Sequence, residues 1–126
     1  MIVGLGMDLC EIDRIEQMVE RWGARFVDRV FTPHEREYAM SKVQRAQHLA
    51  ARFAVKEATL KALGVPPGLT WHDKEVHGGG TSAPRLLLHG KAQAAAERLA
   101  ADSLHLTISH AANMAVAVVI LERLAS

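Results

Sequence analysis

Apolar residues fall into two kinds of pattern along this chain. Residues 2–9, IVGLGMDL, form a short apolar run that predicts a buried strand ending at Asp8. HLTISHA (105–111) alternates as a half-buried strand, Ala112-Asn113 reads as a turn, and MAVAVVILE (114–122) as the closing strand of a hairpin. A further strand is predicted over 85–89, reached through the glycine run 78–80, which resembles a hairpin connection, and 69–76 reads as loop into strand. The other pattern is helical. Ile12, Ile15 and Val19 keep helical spacing within 11–21, with Asp13 available as a cap, and Gly23 breaks the run before a short helix over 24–31. Thr32-Pro33-His34-Glu35 is a strong helix start: Thr32 can cap, Pro33 suits the first turn, and Glu35 stands where a capping box needs it. That helix runs to about Met40. Leu49, Phe53, Leu60 and Leu63 place a long helix over 43–63, stopped by Gly64 and followed by the turn Val65-Pro66-Pro67-Gly68. After Gly90 an alanine-rich helix covers 91–101.

Strands and helices alternate, but the strands pair as hairpins. An α+β fold follows, with a long central helix packed on an antiparallel-rich sheet, in a single domain over 1–126. At 126 residues the chain can bury one modest core. A formal net charge of +1 gives no argument for nucleic acid or a membrane surface, and no stretch is long enough to span a bilayer. The N-terminus lacks the pattern of a signal peptide, and the one cysteine, Cys10, excludes an internal disulfide. Both point to the cytoplasm. Cys10 reads as a small buried or half-buried residue rather than a nucleophile.

The candidate chemistry lies in RFAVKEATLKALG, 52–64. Glu57, Lys61 and Gly64 continue a helix row begun by Ala50 and Ala54, and small residues in it allow close approach by another element or a ligand. The ordinary reading is an i,i+4 pair between Glu57 and Lys61. Lys56 falls in the apolar stripe, so either it snorkels or its stem is covered while the ammonium reaches a partner. Asp8 also needs a partner, an arginine such as Arg14 in the ordinary reading. In the functional reading Asp8 and Glu57 are two carboxylates that suit Mg²⁺ on a pyrophosphate, with Lys61 on a phosphate oxygen. His105 and His110 read as structural histidines or phosphate contacts. Ser109 and His110 are strand neighbours on opposite faces, which weakens a Ser–His nucleophile. Neither GLG (4–6) nor GGG (78–80) has the spacing of a phosphate-binding loop.

Several segments together resemble one family, the holo-acyl-carrier-protein synthases. IVGLGMDLCEIDRI resembles its opening and RFAVKEATLKALG its central signature; FTPHEREYA, GLTWHDKEV, Pro84 and LTISHAANMAVAVVILE extend the match over nearly the whole chain. The compact VPPGL and Ser82-Ala83-Pro84 depart from the family's usual loops. The resemblance implies transfer of the 4'-phosphopantetheine arm of coenzyme A to a serine of apo-acyl carrier protein, in fatty acid biosynthesis. It implies Asp8 and Glu57 as Mg²⁺ ligands, and Lys61, Arg52, His110 and Gly64 as coenzyme A contacts. Arg14 becomes a docking point for the acidic carrier protein, and Glu35 a group that binds a metal water or helps deprotonate the serine. It also implies a homotrimer with active sites between subunits. Two other classes of protein fit the same residues: a binding module that holds coenzyme A without turnover, and a structural oligomer in which Asp8 and Glu57 lie far apart.

Overall fold

The computed structural model describes residues 1–124; the last two residues of the expected 1–126 domain lie outside the described residues. The elements run β1 (Ile2–Glu11), α1 (Ile12–Trp22), α2 (Ala24–Val30), α3 (Pro33–Met40), α4 (Arg45–Ala62), β2 (Lys74–Gly79), β3 (Ser82–Leu88), α5 (Gly90–Arg98), β4 (Ser103–Ala111) and β5 (Met114–Glu122). A 3-10 turn over Trp71–Asp73, capped by Thr70 in a second capping box, precedes β2. The order β1-β5-β4 forms one antiparallel sheet, and β2 and β3 form a separate hairpin. The expected α+β class and helix-on-sheet arrangement hold.

Local chemistry explains most boundaries. Thr32 accepts from the Glu35 N–H while Glu35 accepts from the Thr32 N–H, so the capping box at α3 is complete. At the end of α4 the Val65 N–H donates to the Leu60 carbonyl at 2.9 Å and the Gly64 N–H to that of Lys61 at 3.0 Å. These are the two bonds of a Schellman motif, with Gly64 at φ 84 in the left-handed region it requires. Val43 lies outside α4 and is fully solvated, so that helix starts later than its apolar spacing suggests. Conversely β3 and β4 begin earlier than expected, at Ser82 and Ser103, because ladder pairing carries polar residues into the strands.

One correction matters for the site. β1 does not end at Asp8; it continues to Glu11, paired residue by residue with β5, so Asp8 sits mid-strand opposite Ala117. Nor is the strand buried on both faces. Gly4, Gly6, Asp8 and Cys10 share the face of the buried β5 residues Leu121, Val119, Ala117 and Ala115. Leu5, Met7 and Leu9 point the other way and are 64, 55 and 57 % exposed.

Helix α4 lies directly on the inner face. A Cβ on Gly6 would collide with the Ala58 carbonyl oxygen, and one on Gly4 with that of Ala62. The GLG run is therefore a packing device, and Ala58 and Ala62, rather than the Ala50-Ala54-Gly64 row, meet the close approach. Gly6→Ala, with backbone on both sides of the clash, is expected to cost about 3 kcal/mol, the top of the range for overpacked cores. Urea unfolding measures it; an unchanged midpoint would mean that α4 does not sit this close.

Candidate active site

Because β1 and α4 touch through glycine and alanine, the residues one step along each reach one another. The Lys61 ammonium binds the Asp8 carboxylate at 2.9 Å and the Met7 carbonyl at 3.1 Å. The sequence pairing of Lys61 with Glu57 is thus replaced by a pair between two elements. The Asp8 contact raises the Lys61 ammonium above its usual value, and Glu57 contributes in the same direction. Both carboxylates also act on the Cys10 thiol, which burial pushes up to about 11. At that value Cys10 is protonated at neutral pH, which fits a small buried residue. Asp8 makes no pair with Arg14 among the described residues; Arg14 is solvated on α1.

Asp8 and Glu57 are two carboxylates rather than a full protein cage, and no group of three or more acidic, histidine or cysteine ligands occurs among the described residues. That donor set fits Mg²⁺, which takes one or two carboxylates and completes its shell with phosphate oxygens and water. It does not fit a structural zinc site.

Lys56 and Glu35 form a second cluster, fully enclosed. Their side chains are 0 % exposed and 2.7 Å apart. The Lys56 ammonium also donates to the carbonyls of Trp71, at 3.1 Å, and Lys74. Glu35 accepts from the backbone N–H groups of Thr32 and Val76, both at 2.9 Å. Burial pushes the Lys56 ammonium down and Glu35 opposes it. Of the two fates open to Lys56, a covered stem with a bound ammonium is the one adopted. Glu35 is the correction: a carboxylate with both oxygens engaged and no exposed surface cannot reach a substrate or a metal-bound water in this chain. Its work is to tie α3, α4 and β2 together.

A third cluster lies elsewhere on α4. Arg52, 3 % exposed, donates to the Gly78 carbonyl at 2.9 Å and stacks 4.1 Å over the Tyr38 ring, while its Nε has no partner. It lines a cavity of about 410 Å³ with His48, Gly80, Pro84 and His110. His110 is 3.2 Å from Gln47 on α4, whereas His105 faces the other side of the sheet beside Glu122. Arg52 and Lys61 are nine residues apart on α4. They point to opposite sides of the helix, about 180° apart, and are separated by about 13 Å along its axis. Gly64 is exposed with open space around its Cα, consistent with either a bare cap or ligand approach. The expected residues therefore form two half-sites, Asp8-Glu57-Lys61 and Arg52-His110, which one chain does not bring together.

One surface was missed by the sequence reading. Met18, Trp22 and Phe26 line a small groove of about 210 Å³ with Arg25 and Arg29. Arg21 and Arg25 both lie over the Trp22 ring. The four-residue recurrence of Met18, Trp22 and Phe26, and of Arg21, Arg25 and Arg29, is the signal that was available.

A two-carboxylate, lysine-flanked cluster and a separate cationic cavity suit a protein that handles a phosphate-bearing ligand. Comparison with known proteins shows the family. The model of the 4'-phosphopantetheinyl transferase superfamily matches residues 4–119. The chain is 46 % identical to a holo-[acyl-carrier-protein] synthase of Geobacter sulfurreducens, over 98 % of this chain and 99 % of that protein. It is 49 % identical to one of Anaeromyxobacter sp. (strain K), over 97 % of each. The crystal structure of the Helicobacter pylori synthase in complex with coenzyme A superposes with a TM-score of 0.80 at 32 % identity, covering 94 % of this chain and 99 % of that one. The chain belongs to the 4'-phosphopantetheinyl transferase superfamily.

The buried pair generates a test. Lys56→Met leaves the Glu35 charge without its partner and is expected to cost about 3–5 kcal/mol. Adding Glu35→Leu should recover part of that loss, because the orphaned charge goes with it. Denaturant unfolding of the three proteins decides; a harmless single variant would remove the pair from its anchoring role.

Proposed function

We propose that this chain transfers the 4'-phosphopantetheine arm of coenzyme A to a serine hydroxyl of apo-acyl carrier protein. The products are holo-carrier protein and adenosine 3',5'-bisphosphate, and the setting is fatty acid biosynthesis in the cytoplasm. The observation that carries this reading is the Asp8–Lys61 contact beside Glu57, in a chain whose relatives over nearly its full length are holo-acyl-carrier-protein synthases.

In this reading Asp8 and Glu57 hold Mg²⁺. When bound, Mg²⁺ supplies charge neutralisation on the pyrophosphate oxygens as the phosphoanhydride bond breaks. Lys61 already points its ammonium at Asp8, so a phosphate oxygen arriving there finds a fixed positive charge. The serine oxygen attacks the β-phosphorus, and the bisphosphate leaves with the electron pair of the broken bond. With Glu35 enclosed in the second cluster and Asp8 engaged by Lys61, Glu57 is the carboxylate left to accept the serine proton, directly or through a water. Arg52 and His110 bind the nucleotide phosphates. Arg14 and the neighbouring arginine-flanked groove of α1 and α2 receive the acidic carrier protein, aromatic and methionine side chains giving contact area and the arginines giving orientation.

The functional unit is a homotrimer. The outer face of the sheet presents Leu5, Met7 and Leu9 of β1 beside Val116, Val118 and Ile120 of β5, a contiguous apolar patch rimmed by Ser103, His105 and Glu122. Patches of this kind mark subunit contacts. Association through it lets the Arg52-His110 half of one subunit meet the Asp8-Glu57-Lys61 half of the next.

Two experiments test this. Incubation with coenzyme A, Mg²⁺ and apo-carrier protein should add the mass of the arm to the carrier, and Asp8→Ala or Glu57→Ala should abolish the gain while the chain stays folded. Coenzyme A binding without any mass gain would make the protein a binding module instead. For the shared site, Asp8→Ala and Arg52→Ala variants, each inactive alone, should regain activity when unfolded together and refolded as mixed trimers. No recovery on mixing would place both halves of the working site in one subunit.

A further inference from the structure

Helix α1 begins without a cap from its own sequence. β1 ends at Glu11 and α1 starts at Ile12 with no loop residue between, and the Glu11 side chain makes no capping bond. The first amides of a helix have no partner inside it. Here two of them are met from the far end of the chain. The Ile12 N–H donates to the Asn113 carbonyl at 2.8 Å, and the Asp13 N–H to the Asn113 side-chain oxygen Oδ1 at 3.0 Å. Asn113 sits in the two-residue tip of the β4–β5 hairpin, between the paired residues Ala111 and Met114. It acts as the side-chain cap of a helix 100 residues away.

The ladder between β1 and β5 runs up to Glu11 opposite Met114, so this tip is locked to the strand that carries Asp8. Asn113 thus fixes the angle at which α1 leaves β1. Few other contacts could. Ile15 and Val19 bury one face of α1, but apolar contact is non-directional. Among the described residues, the other hydrogen bonds between α1 and another element are those of Arg45 with Glu16, at 2.7 and 3.4 Å. Both side chains are partly solvated, and such pairs hold weakly. Arg14 lies in the first turn of α1, next to the two amides that Asn113 holds. In the function proposed above, this arginine meets the carrier protein while Asp8 stands at the reacting phosphate. The serine of a docked carrier reaches that phosphate only if the two keep a constant separation and angle.

We propose that Asn113 is a positioning residue for carrier-protein docking. Its side chain caps α1 and so sets Arg14 relative to the Asp8–Lys61 cluster. It acts through the helix and needs no contact with either substrate. The inference rests on the proposed transferase reading, but fails separately from it.

The test compares steady-state transfer to apo-carrier protein with calorimetric binding of coenzyme A in Mg²⁺. Asn113→Ala should lower kcat/KM for the carrier roughly fivefold, the factor that one helix cap is worth, and leave coenzyme A affinity within about twofold. Asn113→Asp keeps an acceptor in the same place and should hold transfer within about twofold of wild type. Should Asn113→Ala fold poorly, adding Ala112→Gly relieves the left-handed backbone there, at φ 52, and should restore the fold while the selective loss stays. Unchanged carrier kinetics in the folded alanine variant would overturn the proposal, leaving Asn113 a turn residue. Equal loss of transfer and of coenzyme A affinity would overturn it too, since the tip would then act through His110 rather than α1. An aspartate variant as poor as the alanine one would remove the side-chain acceptor from the explanation. Wild-type protein that transfers nothing to the carrier would instead sink the transferase reading beneath it.

Discussion

The close seating of α4 on β1 is the constraint from which the rest follows. Backbone meets backbone at Gly6 over Ala58 and Gly4 over Ala62, closer than any side chain would allow. Two consequences are immediate. The core between helix and sheet is thin, filled by alanines such as Ala115 and Ala117 that are fully buried. And the first larger side chain beyond the glycines on that face, Asp8, is delivered to the flank of α4 within reach of Lys61. A wider helix–sheet separation, with ordinary side chains at positions 4 and 6, would move Asp8 away from the helix and dissolve the carboxylate pair. The meeting of Asp8 with Lys61 is a by-product of packing geometry, which the glycines set.

A second constraint holds the hairpin in place. The β2–β3 hairpin does not join the main sheet, so it lacks a ladder to fix it there. What substitutes is polar and buried: Lys56 on α4 reaches the carbonyls of Trp71 and Lys74, and Glu35 on α3 reaches the Val76 N–H. Apolar contact alone would let a two-stranded hairpin slide, whereas directed hydrogen bonds from a desolvated ion pair set one register. The same network enforces the burial of Lys74, because the carbonyl that Lys56 captures is its own. The arrangement concentrates two ammonium groups in one region, and Lys56 is the one with a carboxylate partner among the described residues.

Much of this was legible in the sequence, where a local rule decided it. The Thr32-to-Glu35 box, the Gly64 stop and the closing hairpin strand over 114–122 each depend on neighbours within a few residues, and each is found where expected. The Asp8 and Glu57 assignments came from family resemblance; spacing alone favoured a Glu57–Lys61 pair. What spacing could not reach was distance across the fold. Nothing near Gly4 or Gly6 in the chain announces Ala58 or Ala62, so GLG looked inert. Glu35 satisfied a local capping rule, and its burial against Lys56 and Val76 depends on residues 21 and 41 positions away. Lys74 carries no local signal at all: a lysine opening a strand reads as solvated until the loop before it folds back.

The division of cations along α4 gives the molecule its remaining logic. A helix that lies on a sheet has one face covered and two flanks free, and Arg52 and Lys61 occupy opposite flanks by their nine-residue separation. In the assembly proposed above, the second flank that serves one ligand belongs to another copy. The outer sheet face offers the means, since Leu5, Met7 and Leu9 of β1 are open to solvent and the outward residues of β5 are only half-buried in a single chain. Burying that face costs no redesign of the core beneath it, because strand alternation already separates the two sets of side chains. In the trimer proposed above, rotation about the sheet face would bring unlike flanks together in a closed ring, the geometry that heterologous contacts produce when they close. The close seating of α4 and the open apolar face answer to one feature of the sequence, the period-two pattern of β1, which puts Gly4, Gly6 and Asp8 toward the helix and Leu5, Met7 and Leu9 toward solvent.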